Sequence, residues 1–241
     1  MTTRRNRGKE SGDNQLFGSE KMLLKLYNAI ADMHYLLSRG YGEKAAAALV
    51  GNRYKLTSRQ IQMIKGASAS DVQIKHRNSK LILEDNLKDK TVFLDGFNVL
   101  ILLESMLSQA FIFKGVDGYY RDLSSVHGSY KRVIQTEKSI ELVAAFFNKM
   151  QLAKMIWVFD KPVSNSGRIK QMLLDFAIEN EVDWEVILEN NPDRFIVEHA
   201  EIAITSDAWI LDRCKHNFNL MQYIISNEKL EINLIDTTKN V

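Results

Sequence analysis

Three apolar, strand-like runs in this chain end on an aspartate in the same position: Leu94-Asp95-Gly96, Phe159-Asp160-Lys161 and Ser206-Asp207-Ala208. Asp212 follows Asp207 by a little over one helical turn, and Asp193 stands in the loop Asn191-Pro192-Asp193-Arg194. Taken singly, each strand-end Asp reads as the cap of the helix that follows it. Taken together, carboxylates gathered on one rim repel each other, and a hard cation such as Mg²⁺ or Mn²⁺ explains them best. Such an ion lowers the pKa of bound water and clamps a phosphodiester for in-line attack. Rival chemistries lack their residues. A strand-end nucleophilic Asp usually has a second Asp two residues on, where this chain has Phe97. No GxGxxG, GxxxxGK[ST] or GxSxG opens a helix. Cys214 is the single cysteine, which excludes a disulfide framework and any Cys-rich zinc site, and the five histidines have no ligand spacing.

The elements that must position these acids are legible from texture. From residue 91 on, TVFLDGFNVL (91–100), KMIWVFD (154–160), DWEVILE (183–189), EIAITSD (201–207) and LEINLID (230–236) read as strands. EKSIELVAAFFNKM (137–150) and GRIKQMLLDFAIEN (167–180) read as helices between them. This alternation predicts an α/β domain over residues 90–241, with a Rossmann-like, mostly parallel sheet covered by helices on both faces. In such a sheet ligands gather at the carboxyl ends of the strands, where the aspartates are. The segment 113–130 fits neither period and is long enough to be a functional loop. Trp157, Trp184 and Trp209 lie in or beside apolar runs and are expected in the core.

Residues 16–80 predict a small all-α domain. Ser19 can cap a helix with Met22, Leu26, Ile30, Met33 and Leu37 on one face, which Gly40 would stop; 43–52 and 59–67 read as two more. Residues 1–15 are polar, basic and aperiodic, as expected of a disordered tail. Residues 1–90 hold 17 Lys and Arg against 9 Asp and Glu, and residues 91–241 hold 15 against 21. A basic part joined to an acidic one suits a polyanionic partner and a carboxylate site, although two ordinary solvated surfaces would look the same. Arg53, Lys55, Arg59, Lys65, Lys75, Arg77 and Lys80 are the cations that a nucleic-acid role for the helices would use. With no secretory signal and no membrane span in the pattern, a cytoplasmic protein with no membrane partner is expected. The oligomeric state stays open, and a homo-oligomer is possible.

Two segments are candidates for substrate contact. Ser164-Asn165-Ser166-Gly167-Arg168 opens a helix just after Asp160, so its amides and hydroxyls could hold a phosphate, with Lys161 and Arg168 adding charge. An ordinary cap and turn is the alternative. His127 and Tyr130, near the long loop, offer a proton carrier and a stacking ring. Tyr119, Tyr120 and Tyr130 could equally pack against the sheet.

LDGFNVL (94–100) resembles the first strand of the PIN-like superfamily, which includes PIN toxins, NYN ribonucleases and flap-type nucleases. WVFDKP (157–162) resembles the second acidic strand end of its NYN and flap branches, and AITSD (203–207) the Thr-x-Asp element ending a later strand. The resemblance covers about residues 91–236, and the whole chain resembles an uncharacterised prokaryotic family that joins a small helical domain to a PIN-like domain. It implies metal-dependent phosphodiester hydrolysis, most often in RNA, with Asp95, Asp160 and Asp207 as metal ligands, directly or through water. Asp212 would complete the site, Asp193 would be a weaker member, and Asn98 would orient Asp95 or a water. The family's further helical acid would be Glu137 or Glu141. The expected function is a Mg²⁺- or Mn²⁺-dependent endonuclease on RNA, with single-stranded DNA as an alternative substrate. Its rival is a non-catalytic nucleic-acid-binding or regulatory module of the same fold.

Overall fold

The computed structural model describes residues 7–124 and 128–240. The N-terminal region consists of α1 (Asp13–Phe17), α2 (Glu20–Ser38), α3 (Glu43–Arg53), α4 (Ser58–Ala67) and α5 (Asp71–Ser79). Three of these starts, those of α2, α4 and α5, have a side-chain cap. The Ser19 hydroxyl accepts from Met22 N, and Thr57 and Ser70 form capping boxes with Gln60 and Gln73. Gly40, at φ +83°, follows the end of α2 in the left-handed conformation expected of a stop. Leu26, Ile30 and Met33 of α2 bury against Ala46 and Val50 of α3 and Met63 and Ile64 of α4. The helix α5 lies beyond the expected three; its Ser70 capping box was the available signal.

The second region runs β1 (Thr91–Asp95), α6 (Gly96–Leu107), β2 (Phe111–Lys114), β3 (Tyr120–Arg121), α7 (Thr136–Met150), β4 (Lys154–Asp160) and α8 (Ser166–Glu179). It continues with β5 (Trp184–Glu189), α9 (Pro192–His199), β6 (Ile202–Ile204), α10 (Ala208–Arg213), β7 (His216–Asn217), α11 (Leu220–Asn227) and β8 (Asn233–Asp236). Five strands form one sheet in the order β5-β4-β1-β6-β7, every pair parallel. Val92, Leu94, Met155 and Trp157 face a core shared with α6, α7 and α8; Ile156, Val158 and Ala203 face Ile196 of α9 and Ile210 of α10. The fold is thus a Rossmann-like α/β domain preceded by a helical region.

One strand is elsewhere than expected. The run 230–236 contributes β8, which pairs with β2 in a separate sheet of order β3-β2-β8. The main sheet's edge beyond β6 is taken by the two-residue β7 instead. Phe113 of β2 and Ile235 of β8 join the helical core, so this small sheet is the floor on which the N-terminal helices sit. The segment 113–130, which has neither period, supplies the end of β2 and all of β3.

The N-terminal segment also differs from the expected free tail. Arg59 donates to the Gly8 carbonyl at 3.0 Å and to both carboxylate oxygens of Asp13. Arg7 pairs with Glu104, which is fully buried in α6 and also accepts from Tyr130 and Thr136. Two buried carboxylates that need cations explain why residues 7–13 are held. Among the described residues, no helix is long and apolar enough to cross a membrane.

Candidate functional site

Strand register brings the acids together. Asp95 pairs in register with Val158, two residues short of Asp160, while Leu94 pairs with Ile204, so Thr205 comes level with Asp95. The Thr205 hydroxyl donates to Asp95 Oδ2 at 2.8 Å and accepts from Asp207 N at 3.0 Å. Asn98, in the first turn of α6, accepts from both the amide and the hydroxyl of Ser206 at 2.9 Å. Its carboxamide oxygen therefore fixes the turn after β6, while its backbone N–H hydrogen-bonds the Asp95 carboxylate. Asp207 Oδ1 accepts from Trp209 N and Ile210 N and caps α10, so the structural role weighed for it from sequence is fulfilled.

Asp193 enters from the first turn of α9. Burial pushes the Asp95 carboxyl up to about 7, and the charges of Asp193 and Asp207 add to the rise against the Thr205 bond. Burial, with Asp207 and Asp160 beside it, also raises Asp193. Asp95, Asp193 and Asp207 thus feel one another at the carboxyl edge of the sheet, and Asp160 joins them through Asp193. Asp160 Oδ1 is buried without a hydrogen-bond partner, an orphaned acceptor facing a cost that a cation or its water would remove.

Among the described residues, no three His, Cys, Asp or Glu side chains converge as a ready ligand set for one ion. The donors present suit a hard ion that keeps several waters and takes one or two carboxylates directly.

Asp212 stands apart from this rim. At about 100° of rotation per residue, five residues carry it about 140° around α10 from Asp207. There its Oδ1 accepts from Arg77 Nε at 2.6 Å and its Oδ2 from Gln73 Nε2 at 3.1 Å. Burial acts to raise its carboxyl, but the Arg77 hydrogen bond and charge bring it below the usual range. Its place is an ion pair between α5 and α10. Arg77, itself buried, also donates to Asp117, which Arg121 holds from the other side, and Arg121 Nε reaches the Ser206 carbonyl at 2.9 Å. The helical region is wired to the end of β6 through this chain of charges, which the sequence pattern did not reveal.

The substrate candidates divide. Lys161, Ser164 and Arg168 are exposed after β4. Ser166 is buried and donates to the Lys161 carbonyl at 3.3 Å, and Asn165, left-handed at φ +72°, donates to the Tyr130 carbonyl at 2.8 Å. Asn165 holds the turn against Tyr130, and Ser166 closes the turn on itself. Tyr130 is not an open stacking ring: it is buried beneath the Arg7 guanidinium and donates to Glu104. Tyr119 and Tyr120 are buried as well. His127 lies outside the described residues. Glu137 and Glu141 are exposed on α7 and pair with Arg132 and Lys138.

The cations of the helical region are largely engaged too. Arg53, Arg59, Lys65 and Arg77 form ion pairs, and Lys80 Nζ lies 3.1 Å from the Asp212 carbonyl. Trp157 and Trp184 are core residues, whereas Trp209 is 42% exposed on α10.

Residues 84–223 match the family described as "Domain of unknown function (DUF5616)", and residues 25–80 that described as "Protein of unknown function (DUF434)". The chain is also similar to the uncharacterized protein MJ0935 of Methanocaldococcus jannaschii, with 33% identity over 192 residues, covering 78% of this chain and 89% of that protein. No solved structure matches.

Proposed function

We propose that this chain, which belongs to the family of domain DUF5616, is a Mg²⁺- or Mn²⁺-dependent endonuclease of PIN-like type that hydrolyses phosphodiesters in RNA. The observation that carries the reading is the rim itself. Aspartates from four separate segments are linked by their charges at the carboxyl end of a parallel sheet, Asp160 through Asp193, and Asp160 has a buried oxygen without a partner. A cluster of that charge is costly to fold unless it has a use.

A bound divalent ion would neutralise a phosphodiester oxygen and lower the pKa of an attacking water. Asp95 and Asp160 would hold it, with Asp193 and Asp207 adding charge and water contacts. The Thr205 hydroxyl and the Asn98 backbone N–H both hold the Asp95 carboxylate and so fix its orientation at the rim. Asn98 and Arg121 hold Ser206 from its amide, hydroxyl and carbonyl, and so fix the loop carrying Asp207. A second reading, a nucleic-acid-binding module without turnover, is favoured by the capping duty of Asp207 and by the absence of a converged three-acid set among the described residues.

Cleavage of a mixed panel of RNA and single-stranded DNA with Mn²⁺, Mg²⁺ or EDTA separates the two. The nuclease reading expects Mn²⁺-dependent cutting of RNA that Asp95→Asn and Asp160→Asn abolish while remaining folded. Binding without cutting by the wild type would establish the module, and equal cutting by the variants would remove the rim from the chemistry.

A further inference from the structure

Of the three tryptophans, Trp157 and Trp184 are 0% and 6% exposed and Trp209 is 42% exposed. Trp209 is thus the indole whose face a ligand can reach. Trp209 is also next to the rim: its backbone N–H donates to Asp207 Oδ1 at 2.8 Å, and two residues of chain span at most about 7 Å. The helix that carries it is anchored from below, because Ile210 and Leu211 are fully buried and α10 packs on α9 and α5.

The ring already has a cation in place. Arg213, one turn on, sets its guanidinium 4.4 Å from the indole centroid and donates to the Trp209 carbonyl at 3.1 Å. Arg59, Arg77, Arg121 and Arg194 each reach a carboxylate, whereas Arg213 is exposed and reaches none among the described residues. A flat, exposed π-surface with an exposed cation beside an acidic rim suits a ligand with a flat ring and a negative charge, even though that cation also acts on Asp212.

We propose that Trp209 and Arg213 form a stacking subsite for an unpaired nucleobase of the strand whose phosphodiester lies at the carboxylate rim. The inference rests on the nucleic-acid reading above and adds a selection rule. A duplex keeps its base faces stacked on each other, so the indole can be used only by a single strand or a splayed loop. The preference is for unpaired over paired substrate, without a preference for one base.

Tryptophan emission reads this directly, since the two buried indoles are shielded and Trp209 is not. The full chain is titrated with a short single-stranded oligoadenylate, and separately with an RNA duplex of equal length. Ca²⁺ is present to occupy the rim, and gels check that the RNA stays intact. Expected is quenching by the single strand and little by the duplex. Trp209→Ala should lose the quenching and bind a fluorescein-labelled strand about 5- to 150-fold more weakly, the range that one base–aromatic stack supplies. Trp209→Phe should retain most of the affinity, and both variants should keep the wild-type circular dichroism.

Strand binding with unchanged emission and undiminished affinity in Trp209→Ala would overturn the subsite. If Mn²⁺-dependent cleavage persisted in that case, the proposed activity would stand without it. Equal quenching by duplex and single strand would overturn the selection for unpaired bases. Failure of both RNAs to bind at low salt would overturn both proposals.

Discussion

Replacing Asp95 by Asn should stabilise the apoprotein above pH 7, because this carboxylate is held where its charge is costly. Its carboxyl is raised from 3.8 to about 7, chiefly by burial and then by Asp193 and Asp207. Between these values the folded protein keeps a proton that the unfolded chain has released, so stability falls as pH rises from about 4 to 7 and is level above. At about 1.4 kcal/mol per unit, the penalty reaches about 4 kcal/mol at pH 8. Asn carries no charge there, and its carbonyl oxygen can still accept from the Thr205 hydroxyl, now 2.8 Å from Asp95 Oδ2. Urea unfolding in EDTA should therefore find Asp95→Asn more stable by about 2–4 kcal/mol at pH 8 and equal to wild type near pH 4. With an m value of about 3 kcal/mol per molar urea, the midpoint moves up by about 1 M. Mn²⁺ should close most of this gap, adding about 2.7 kcal/mol to wild type at a hundred times its Kd and little to the variant. A variant that is less stable at pH 8, or shifted equally at both pH values, would refute the reasoning and make Asp95 a structural acceptor for Thr205.

Other consequences follow from the buried charges. Arg77→Met leaves Asp117 with Arg121 as its remaining ion-pair partner and leaves Asp212 with the Gln73 hydrogen bond alone, so unfolding by urea should show a loss of about 3 kcal/mol. Arg7→Ala removes the cation from buried Glu104, whose carboxyl burial already raises. The loss should be about 2–3 kcal/mol at pH 8 and should vanish once the acid is protonated at low pH, which denaturation at several pH values would show. Cys214 is buried and burial pushes its thiol up, so Ellman's reagent should label it slowly in the native protein and rapidly in denaturant.

Asp95 and Asp160 were legible because an apolar run closing on a single acid marks where a buried strand surfaces, and parallel pairing puts such ends on one edge. Asp193 had no strand to mark it, and its place is set by the short helix Pro192–His199 turning back over the sheet. The misplacement of Asp212 has a simple cause: distance along a helix was read without its phase. Trp209 was read by residue type, yet in a six-residue helix only Ile210 and Leu211 are turned inward. The run 230–236 has the pattern of a strand, but that pattern does not say which sheet a strand joins, and Ile235 belongs with the helical core. The chain of charges from Asp212 through Arg77, Asp117 and Arg121 to Ser206 joins residues far apart in sequence. No local pattern encodes such a network.

The most direct test of the carboxylate rim as an ion site is anomalous scattering from crystals grown with Mn²⁺. The account predicts a peak at the carboxyl edge of the sheet in contact with Asp160, whose Oδ1 has no partner without it, and its loss in Asp160→Asn. Mn²⁺ absent from that edge at saturating concentration, or bound only at the exposed acids of α7, would contradict the account.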